Sequence, residues 1–206
     1  RIDGEVRGTV DALASQDLEV WAGNNTYVHG SVSLIGLPDM NQTLINIDAQ
    51  DLRTTYSDAV NFIPAIRRIK TPHLDKISYL RFQGTYTGFI NDFVTFGTLQ
   101  TNLGTLRTDL NMKFPRNGEP LYSGTIATDG FELGQFINSP KLGVLAFNGK
   151  LKGQGFDWKT LDMEIDGTVR KIQFDDYTYQ NITVKGKLAN RLFNGNFVMD
   201  DPNADL

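Results

Sequence analysis

The sequence has no cysteine and only two histidines among its 206 residues. Without cysteine the chain cannot form a disulfide framework, a thiolate metal site or a cysteine nucleophile. His29 and His73 accompany neither a Gly-x-Ser-x-Gly nucleophile motif nor a His-Glu-x-x-His zinc motif. The residues therefore predict that the protein is not an enzyme, and they indicate no metal site and no cofactor site.

The chain also lacks a basic excess and a long apolar run. Its 20 lysine and arginine side chains are outnumbered by 24 acidic ones, which gives a formal net charge of -4. Nucleic-acid binding needs a basic surface that neutralises phosphates, so the composition argues against a nucleic-acid partner. No stretch approaches the roughly 18 consecutive apolar residues of a membrane-spanning helix. Residues 1–4 do not resemble a signal peptide.

Alternation of apolar and polar residues is the main pattern that is present. Leu106, Leu110 and Met112 alternate with Arg107 and Asp109, for example. A period of two residues is typical of strands with one buried and one wet face, and clean alternation favours antiparallel pairing. The sequence therefore predicts a mostly β protein.

A recurrent five-residue unit, apolar-x-Gly-x-apolar, lies on top of this alternation. Its glycines have two interpretations: hairpin turns, as in Asn-Gly and Asp-Gly dipeptides, or positions inside strands that let a sheet bend. We favour the second, because His29, Gln83 and Lys185 precede glycines and are poor turn formers. The units span residues 2–6, 28–32, 82–86, 122–126, 147–151, 165–169, 184–188 and 193–197.

Glycines repeated on the apolar face of neighbouring strands would curl the sheet into a barrel or an open groove. We predict a curled antiparallel β-groove, a half-barrel of hairpin repeats, with curvature glycines at Gly84, Gly149, Gly167 and Gly186. The predicted apolar lining consists of Phe82, Tyr86, Phe147, Leu151, Ile165, Val169, Val184, Leu188, Phe193 and Phe197.

One segment departs from the strand pattern. The spacing of Ala59, Phe62 and Ile66, after a Thr55-x-x-Asp58 start, predicts a short amphipathic helix near residues 56–69 inside an insertion of about 56–72. Pro64 is expected to kink this helix or end its first half. Two roles stay open: covering an edge of the sheet or one end of the core, or binding a partner. Residues 130–137 are either a helical turn or a wide connection.

Aromatic residues offer a different hypothesis, a carbohydrate- or ligand-binding β-sandwich module without catalysis. Trp21 and Trp158 are isolated in the sequence, whereas Tyr177 and Tyr179 share one strand face. A pair of this kind is suited to stacking on a sugar ring, although packing against other strands is the commoner role of aromatic residues.

Two stretches resemble a known family. Residues 80–93 (LRFQGTYTGFINDF) and 97–110 (GTLQTNLGTLRTDL), with residues 36–39 (GLPD) and the repeated Phe-x-Gly-x-apolar unit, are similar to TamB, the translocation and assembly module subunit, within the AsmA-like group. The chain has no initial methionine, and alternation resumes at residues 200–206. We therefore expect residues 1–206 to be one TamB-like segment of a much longer protein.

The resemblance implies a β-groove, or β-taco, with an apolar concave face. It implies a protein of the Gram-negative periplasm, anchored in the inner membrane, that acts in outer-membrane biogenesis through phospholipid transport, outer-membrane protein assembly or both. The expected partners are phospholipid acyl chains or nascent outer-membrane β-strands. A TamA- or BamA-type barrel would be contacted by parts of the full-length protein outside these residues.

Overall fold

A computed structural model describes residues 1–157, 159–202 and 204–205, most of which lie in β-strands. Two short α-helices and two 3₁₀ turns interrupt the strands. The strands are β1 (Ile2–Asp3), β2 (Arg7–Thr9), β3 (Ala12–Ala22), β4 (Thr26–Ile35), β5 (Leu44–Thr55), β6 (Tyr79–Phe89), β7 (Asp92–Thr101), β8 (Gly104–Lys113), β9 (Leu121–Glu132), β10 (Leu142–Gln154), β11 (Asp162–Phe174), β12 (Tyr177–Ala189), β13 (Leu192–Asp201) and β14 (Ala204–Asp205). The helices are α1 (Tyr56–Phe62) and α2 (Leu133–Ile137), and the 3₁₀ turns are Pro64–Arg68 and Leu74–Lys76.

All fourteen strands belong to one antiparallel sheet. From β3 to β14 each strand pairs with the next along the chain, and β1 and β2 both pair with β3. Among the described residues no pairing joins the first strand to the last, so the sheet stays open. The prediction of a mostly β, curled antiparallel sheet is confirmed. The alternative of a β-sandwich is wrong, because the strands form a single sheet.

The two faces of this sheet differ in exposure. In β8 the residues alternate strictly, with Leu106, Leu110 and Met112 partly buried and Arg107 and Asp109 exposed. A single layer shields one face more than the other when it curls, so the apolar face is the inner one. The accessible surface of 12548 Å² is correspondingly larger than the roughly 9,600 Å² of a compact monomer of this mass.

Seven of the eight glycines of the recurrent unit lie inside strands rather than in turns, and the eighth, Gly4, lies between β1 and β2. Gly149 of β10 is paired directly with Gly167 of β11, and Gly186 of β12 with Gly195 of β13. The turn interpretation is therefore wrong for Asn148-Gly149, Asp166-Gly167 and Asn194-Gly195. The hairpin between β12 and β13 instead turns at Asn190-Arg191, where both φ angles are positive, at 52° and 64°.

The helical insertion begins as the sequence predicts. Thr55 is the N-cap of α1, and its Oγ1 accepts a hydrogen bond from Asp58 N at 3.3 Å. Pro64 ends the α-helix and starts the 3₁₀ turn Pro64–Arg68. The chain then crosses the strand ends, where His73 N donates to Phe136 O at 2.7 Å and Ser78 N donates to Asn102 Oδ1 at 2.8 Å. The insertion thus covers one end of the sheet.

Asp58 has a different role from the one that a capping box assigns to it. Its buried carboxylate does not turn back to Thr55. Instead Oδ2 accepts hydrogen bonds from Asn24 N at 3.1 Å, Asn25 N at 2.7 Å and Thr26 Oγ1 at 3.1 Å. These bonds, led by the one from Asn25, hold the pKa of Asp58 below its ordinary value. Asp58 therefore fastens the hairpin between β3 and β4 to α1.

Acid is expected to release this link. A carboxyl group whose pKa is lower in the folded than in the unfolded state stabilises the fold above its unfolded pKa, and that stabilisation is lost as the pH falls towards the folded pKa. We expect Asp58→Asn to be less stable than the wild type at neutral pH, with the difference shrinking below about pH 4. Urea denaturation of both proteins across this pH range measures it, and a difference that is constant with pH would contradict the assignment.

Candidate apolar groove

The inner face of the sheet is a continuous, uncharged and mainly apolar surface. Three rows of directly paired residues cross it from β4 to β13, and none of their side chains is charged. The first row is Leu34, Ile45, Gly88, Phe93, Met112, Tyr122, Gly153, Met163, Leu188 and Phe193. The second is Val32, Ile47, Tyr86, Thr95, Leu110, Gly124, Leu151, Ile165, Gly186 and Gly195. The third is Gly30, Ala49, Gly84, Gly97, Thr108, Ile126, Gly149, Gly167, Val184 and Phe197.

We call this surface the groove floor. Adjacent strands lie about 4.8 Å apart, so ten strands span about 43 Å, and three rows two residues apart span about 14 Å along the strands. The hydrocarbon core of a bilayer is about 30 Å thick. One acyl chain belongs to one leaflet and therefore spans about 15 Å. The groove floor therefore has room for several acyl chains.

All ten predicted lining residues lie on this face. Seven belong to the three rows, and Phe82, Phe147 and Val169 lie two residues further along their strands, on the same side. Sequence reasoning missed Ile47, Phe93 and other members of the rows, because they fall outside the glycine unit. The period-two alternation of β5 and β7 contains the signal that would have found them.

Burial of the inner face, which includes the groove floor, is uneven. Phe147 is 5% exposed and packs in a cluster with Val169, Ile182, Val184 and Met199. Leu151 and Ile165 are only partly buried and lie against this cluster. The floor thus combines a packed patch with side chains that still meet solvent, which is the condition an apolar ligand needs.

Aromatic rings lie in the space that the paired glycines leave. A methyl group built on Gly149 would come within 2.6 Å of Phe147 Cζ, and one on Gly167 within 2.8 Å of Phe147 Cε2. A methyl group on Gly186 would come within 2.7 Å of Phe193 Cζ. Phe147 thus covers the pair Gly149 and Gly167, and Phe193 covers Gly186, so these curvature glycines also make room for aromatic side chains.

Two tyrosines add neutral polar groups to the groove floor. Tyr86 stacks on Phe93 with ring centroids 4.7 Å apart, and its hydroxyl donates to Phe89 O at 2.9 Å. Tyr122 stacks on Phe156 at 5.2 Å. Burial raises the pKa of both Tyr86 and Tyr122 to about 12, so both phenols are uncharged at physiological pH.

The outer face carries the charges. Asp129 accepts hydrogen bonds from Arg170 and, at 3.0 Å, from Arg107, and these two guanidinium groups lower its pKa. Lys185 lies 2.8 Å from Asp166. Such solvent-exposed pairs contribute little to stability, typically about 0–1 kcal/mol each. They keep the outer face hydrated and leave the inner face as the apolar surface.

The aromatic residues of the carbohydrate hypothesis are engaged in packing. Tyr177 and Tyr179 contact each other edge to face at 4.7 Å, and Tyr179 packs against the Phe147 cluster. Trp21 contacts Tyr27 at 5.3 Å and lies under the guanidinium of Arg1 at 4.7 Å. Trp158 lies outside the described residues. No open platform of two parallel rings results from Tyr177, Tyr179 and Trp21.

The described residues also bear on metal binding and on membrane-spanning helices. The described part of the chain has no group of three or more histidine, aspartate or glutamate side chains placed to hold a metal ion. Within the same part, none of the helices has the length and apolar character needed to cross a bilayer.

The fold and the groove define the protein as a single-layer, curled β-sheet protein with an apolar inner face. Comparisons with protein-family models, with curated proteins and with solved structures returned no match to this chain. The resemblance to TamB therefore stays a prediction from sequence.

Proposed function

We propose that this chain is a segment of a TamB-like protein of the Gram-negative envelope, and that its groove floor receives phospholipid acyl chains. The observation that carries the proposal is the set of three uncharged rows across ten strands. An acyl chain needs apolar contact and no hydrogen bonds, which is what such a surface offers.

The chemistry of the groove favours acyl chains over an extended polypeptide within it. Every strand from β4 to β12 has neighbours on both sides, so its backbone groups are paired within the sheet. A polypeptide lying on the floor would leave its own backbone groups without partners, at a cost of about 1–3 kcal/mol for each group. A nascent outer-membrane strand would find backbone partners only at an edge of the sheet.

Burial of acyl methylene groups on the groove floor would supply the binding free energy. Burial of one methylene group contributes about 0.8 kcal/mol, so ten would contribute about 8 kcal/mol, equivalent to a micromolar dissociation constant before ordering costs are subtracted. Contact with both membranes and with a TamA- or BamA-type barrel would fall to other parts of a full-length protein. The inner-membrane anchor would likewise lie outside residues 1–206.

Two neighbouring residues of β10 provide a matched test. Leu151 lies on the groove floor between Gly124 and Ile165, whereas Lys150 lies on the outer face and is exposed. We expect Leu151→Asp to weaken binding of a fluorescent fatty acid at least about tenfold, because a carboxylate beside an acyl chain loses its hydration. Lys150→Asp is expected to change the affinity less than about twofold, since its side chain stays in solvent.

Extraction of the purified wild-type protein, followed by mass spectrometry, should also recover phospholipid or fatty acid. Circular dichroism of both variants checks that the sheet remains folded. A wild-type protein that binds no fatty acid and carries no lipid would overturn the proposal. Equal affinities for the two variants would show that the fatty acid does not lie on the groove floor.

A further inference from the structure

Two rims bound the groove floor, one at each end of the strands. The insertion rim is formed by the connections 23–25, 56–78, 102–103, 133–141 and 175–176. The loop rim is formed by the connections 36–43, 90–91, 114–120, 155–161 and 190–191. The three rows between the rims contain no charged side chain. A phosphate group placed on these rows would lose its hydration and find no opposite charge. The phosphate of a bound phospholipid therefore belongs at one of the two rims.

The apolar surface continues from the groove floor towards the insertion rim. Beyond the third row, a fourth row of directly paired residues crosses β4–β8 and consists of Val28, Leu52, Phe82, Leu99 and Leu106. Successive rows lie about 7 Å apart along the strands. An acyl chain that spans about 15 Å and begins at the fourth row therefore ends at the second row. It lies on apolar side chains throughout.

The insertion, residues 56–78, carries a local excess of positive charge. It contains four basic and two acidic side chains, a net charge of +2, whereas the rest of the chain has a net charge of -6. One of the two acids is Asp58, whose carboxylate is buried and hydrogen-bonded. Arg67, Lys70 and Lys76 are exposed. The other connections of this rim contribute one basic and two acidic side chains. The positive charge of the rim is therefore concentrated in the insertion.

Hydrogen bonds attach the insertion to the strand ends at three places. Asp58 accepts from Asn25 N at 2.7 Å in the β3–β4 hairpin, and His73 N donates to Phe136 O at 2.7 Å in α2. In the β7–β8 hairpin, Asn102 Nδ2 donates to Lys76 O at 2.9 Å. Arg67 and Lys70 lie in the chain between the first two attachments, and Lys76 lies at the third. The basic residues therefore belong to a segment that is fixed along the rim of the groove.

The loop rim has a different character. Its connections carry three basic and three acidic side chains, so they have no excess of either charge. The ring of Phe114 stacks on Phe93 with centroids 6.3 Å apart, and that of Phe156 stacks on Tyr122 at 5.2 Å. Phe93 and Tyr122 belong to the first row, so rings from two connections of the loop rim cover part of that row. A phosphate group at this rim would meet aromatic rings and no net positive charge.

We propose that the groove holds an anionic glycerophospholipid in one orientation, with its phosphate at the insertion rim beside Arg67, Lys70 and Lys76 and its acyl chains directed towards the loop rim. Lysine and arginine donate charge-assisted hydrogen bonds to phosphate oxygens. The fourth row provides apolar contact from that rim onwards. This inference rests on the proposed function, because it assigns a headgroup charge and an orientation to the lipid in the same groove.

Two lipids with the same acyl chains test the role of the headgroup. Dioctanoyl phosphatidylglycerol has one negative charge, and dioctanoylglycerol has none. We expect isothermal titration calorimetry of the wild type at low salt to show at least about tenfold tighter binding of the phosphatidylglycerol. Added salt should reduce that difference, because it screens exposed charges. Equal affinities would refute the inference and leave the groove as a lipid site, whereas binding of neither lipid would refute the proposed function as well.

Charge reversal at each rim tests the position of the phosphate. Arg67→Glu/Lys70→Glu is expected to weaken binding of the phosphatidylglycerol at least about tenfold and that of the dioctanoylglycerol less than about twofold. Arg116→Glu/Lys159→Glu is the matched control, because it makes the same change of charge at exposed residues of the loop rim. We expect it to change either affinity less than about threefold. Equal weakening by the two pairs would mean that only the net charge of the protein matters. Circular dichroism checks the fold of both variants.

Paramagnetic labels on the lipid locate its two ends in the wild-type protein, so a variant that misfolds leaves the orientation testable. A nitroxide on the headgroup is expected to broaden the backbone amide signals of Ile66 and Lys76 in nuclear magnetic resonance spectra. A nitroxide near the end of an acyl chain is expected to broaden those of Leu110 and Leu151 in the second row. The reverse pattern, or equal broadening at both places by both labels, would overturn the proposed orientation.

Discussion

Replacing Phe147 by alanine is expected to lower the free energy of unfolding by about 3–5 kcal/mol. Phe147 is 5% exposed, belongs to the buried cluster of β10–β13 and covers the glycine pair Gly149 and Gly167. Removing the ring opens a cavity on the inner face and also exposes the backbone of that glycine pair. Both effects lower the stability of the folded state.

Phe96→Ala is the matched control for this loss. Phe96 pairs with Thr85 and Asp109 on the outer face and is 62% exposed. Truncating an exposed side chain typically changes stability by less than about 0.5 kcal/mol. Urea denaturation followed by circular dichroism measures both variants. Similar losses for the two would mean that the inner face is not the packed face of the sheet.

Single aromatic rings are important for stability because the sheet has only one layer. In a two-layer fold, each inward side chain packs against the opposite layer. Here the strands form one sheet whose members contact chiefly their sequence neighbours. An inner-face residue must therefore pack on side chains and backbone of adjacent strands. Glycine makes this possible, because a ring can lie close to the backbone where no side chain intervenes.

Much of this fold can be predicted from the sequence because it depends on residue patterns within each strand and on pairing between consecutive strands. Alternation with a period of two specifies which residues share a face, and it places Tyr86, Leu151 and Leu188 on the same side without any knowledge of pairing. Each strand pairs with the next one, so the order of strands in the sheet repeats the order in the chain. Glycine inside the alternation was a sufficient signal for in-strand positions such as Gly149 and Gly167.

The long-range contacts were beyond sequence reasoning. The link from Asp58 to the backbone of Asn24 and Asn25 joins residues more than thirty positions apart, and the local pattern around Asp58 instead indicated a capping box. This link depends on where the chain lies in space, which residue patterns within one element do not specify.

Alanine at Gly149 is expected to destabilise the fold by about 1–3 kcal/mol, the usual cost of overpacking. Its methyl group would lie 2.6 Å from Asp166 O and 2.6 Å from Phe147 Cζ, both far inside normal contact. Gly130→Ala in β9 is the matched control, because a methyl group there would meet only Val144 Cγ1, at 3.5 Å. That change is expected to be neutral or stabilising by up to about 1 kcal/mol, since alanine restricts the unfolded chain. Equal effects at the two positions, measured by urea denaturation, would contradict a close approach at Gly149.

The double variant Gly149→Ala/Phe147→Ala separates the two contacts that exclude a side chain at position 149. One is with the ring of Phe147, and the other is with the backbone oxygen of Asp166. The ring contact disappears in the Phe147→Ala background, whereas the contact with the backbone oxygen of Asp166 remains. We therefore expect the double variant to be more stable than the sum of the two single losses predicts, by about 0.5 kcal/mol or more. The cost of Gly149→Ala should nevertheless not fall to zero, because the approach of β11 still requires a residue without a side chain. If the two losses of stability were strictly additive, the position of the Phe147 ring would not depend on the glycine pair. Gly149 would then be needed only for the pairing of the strands.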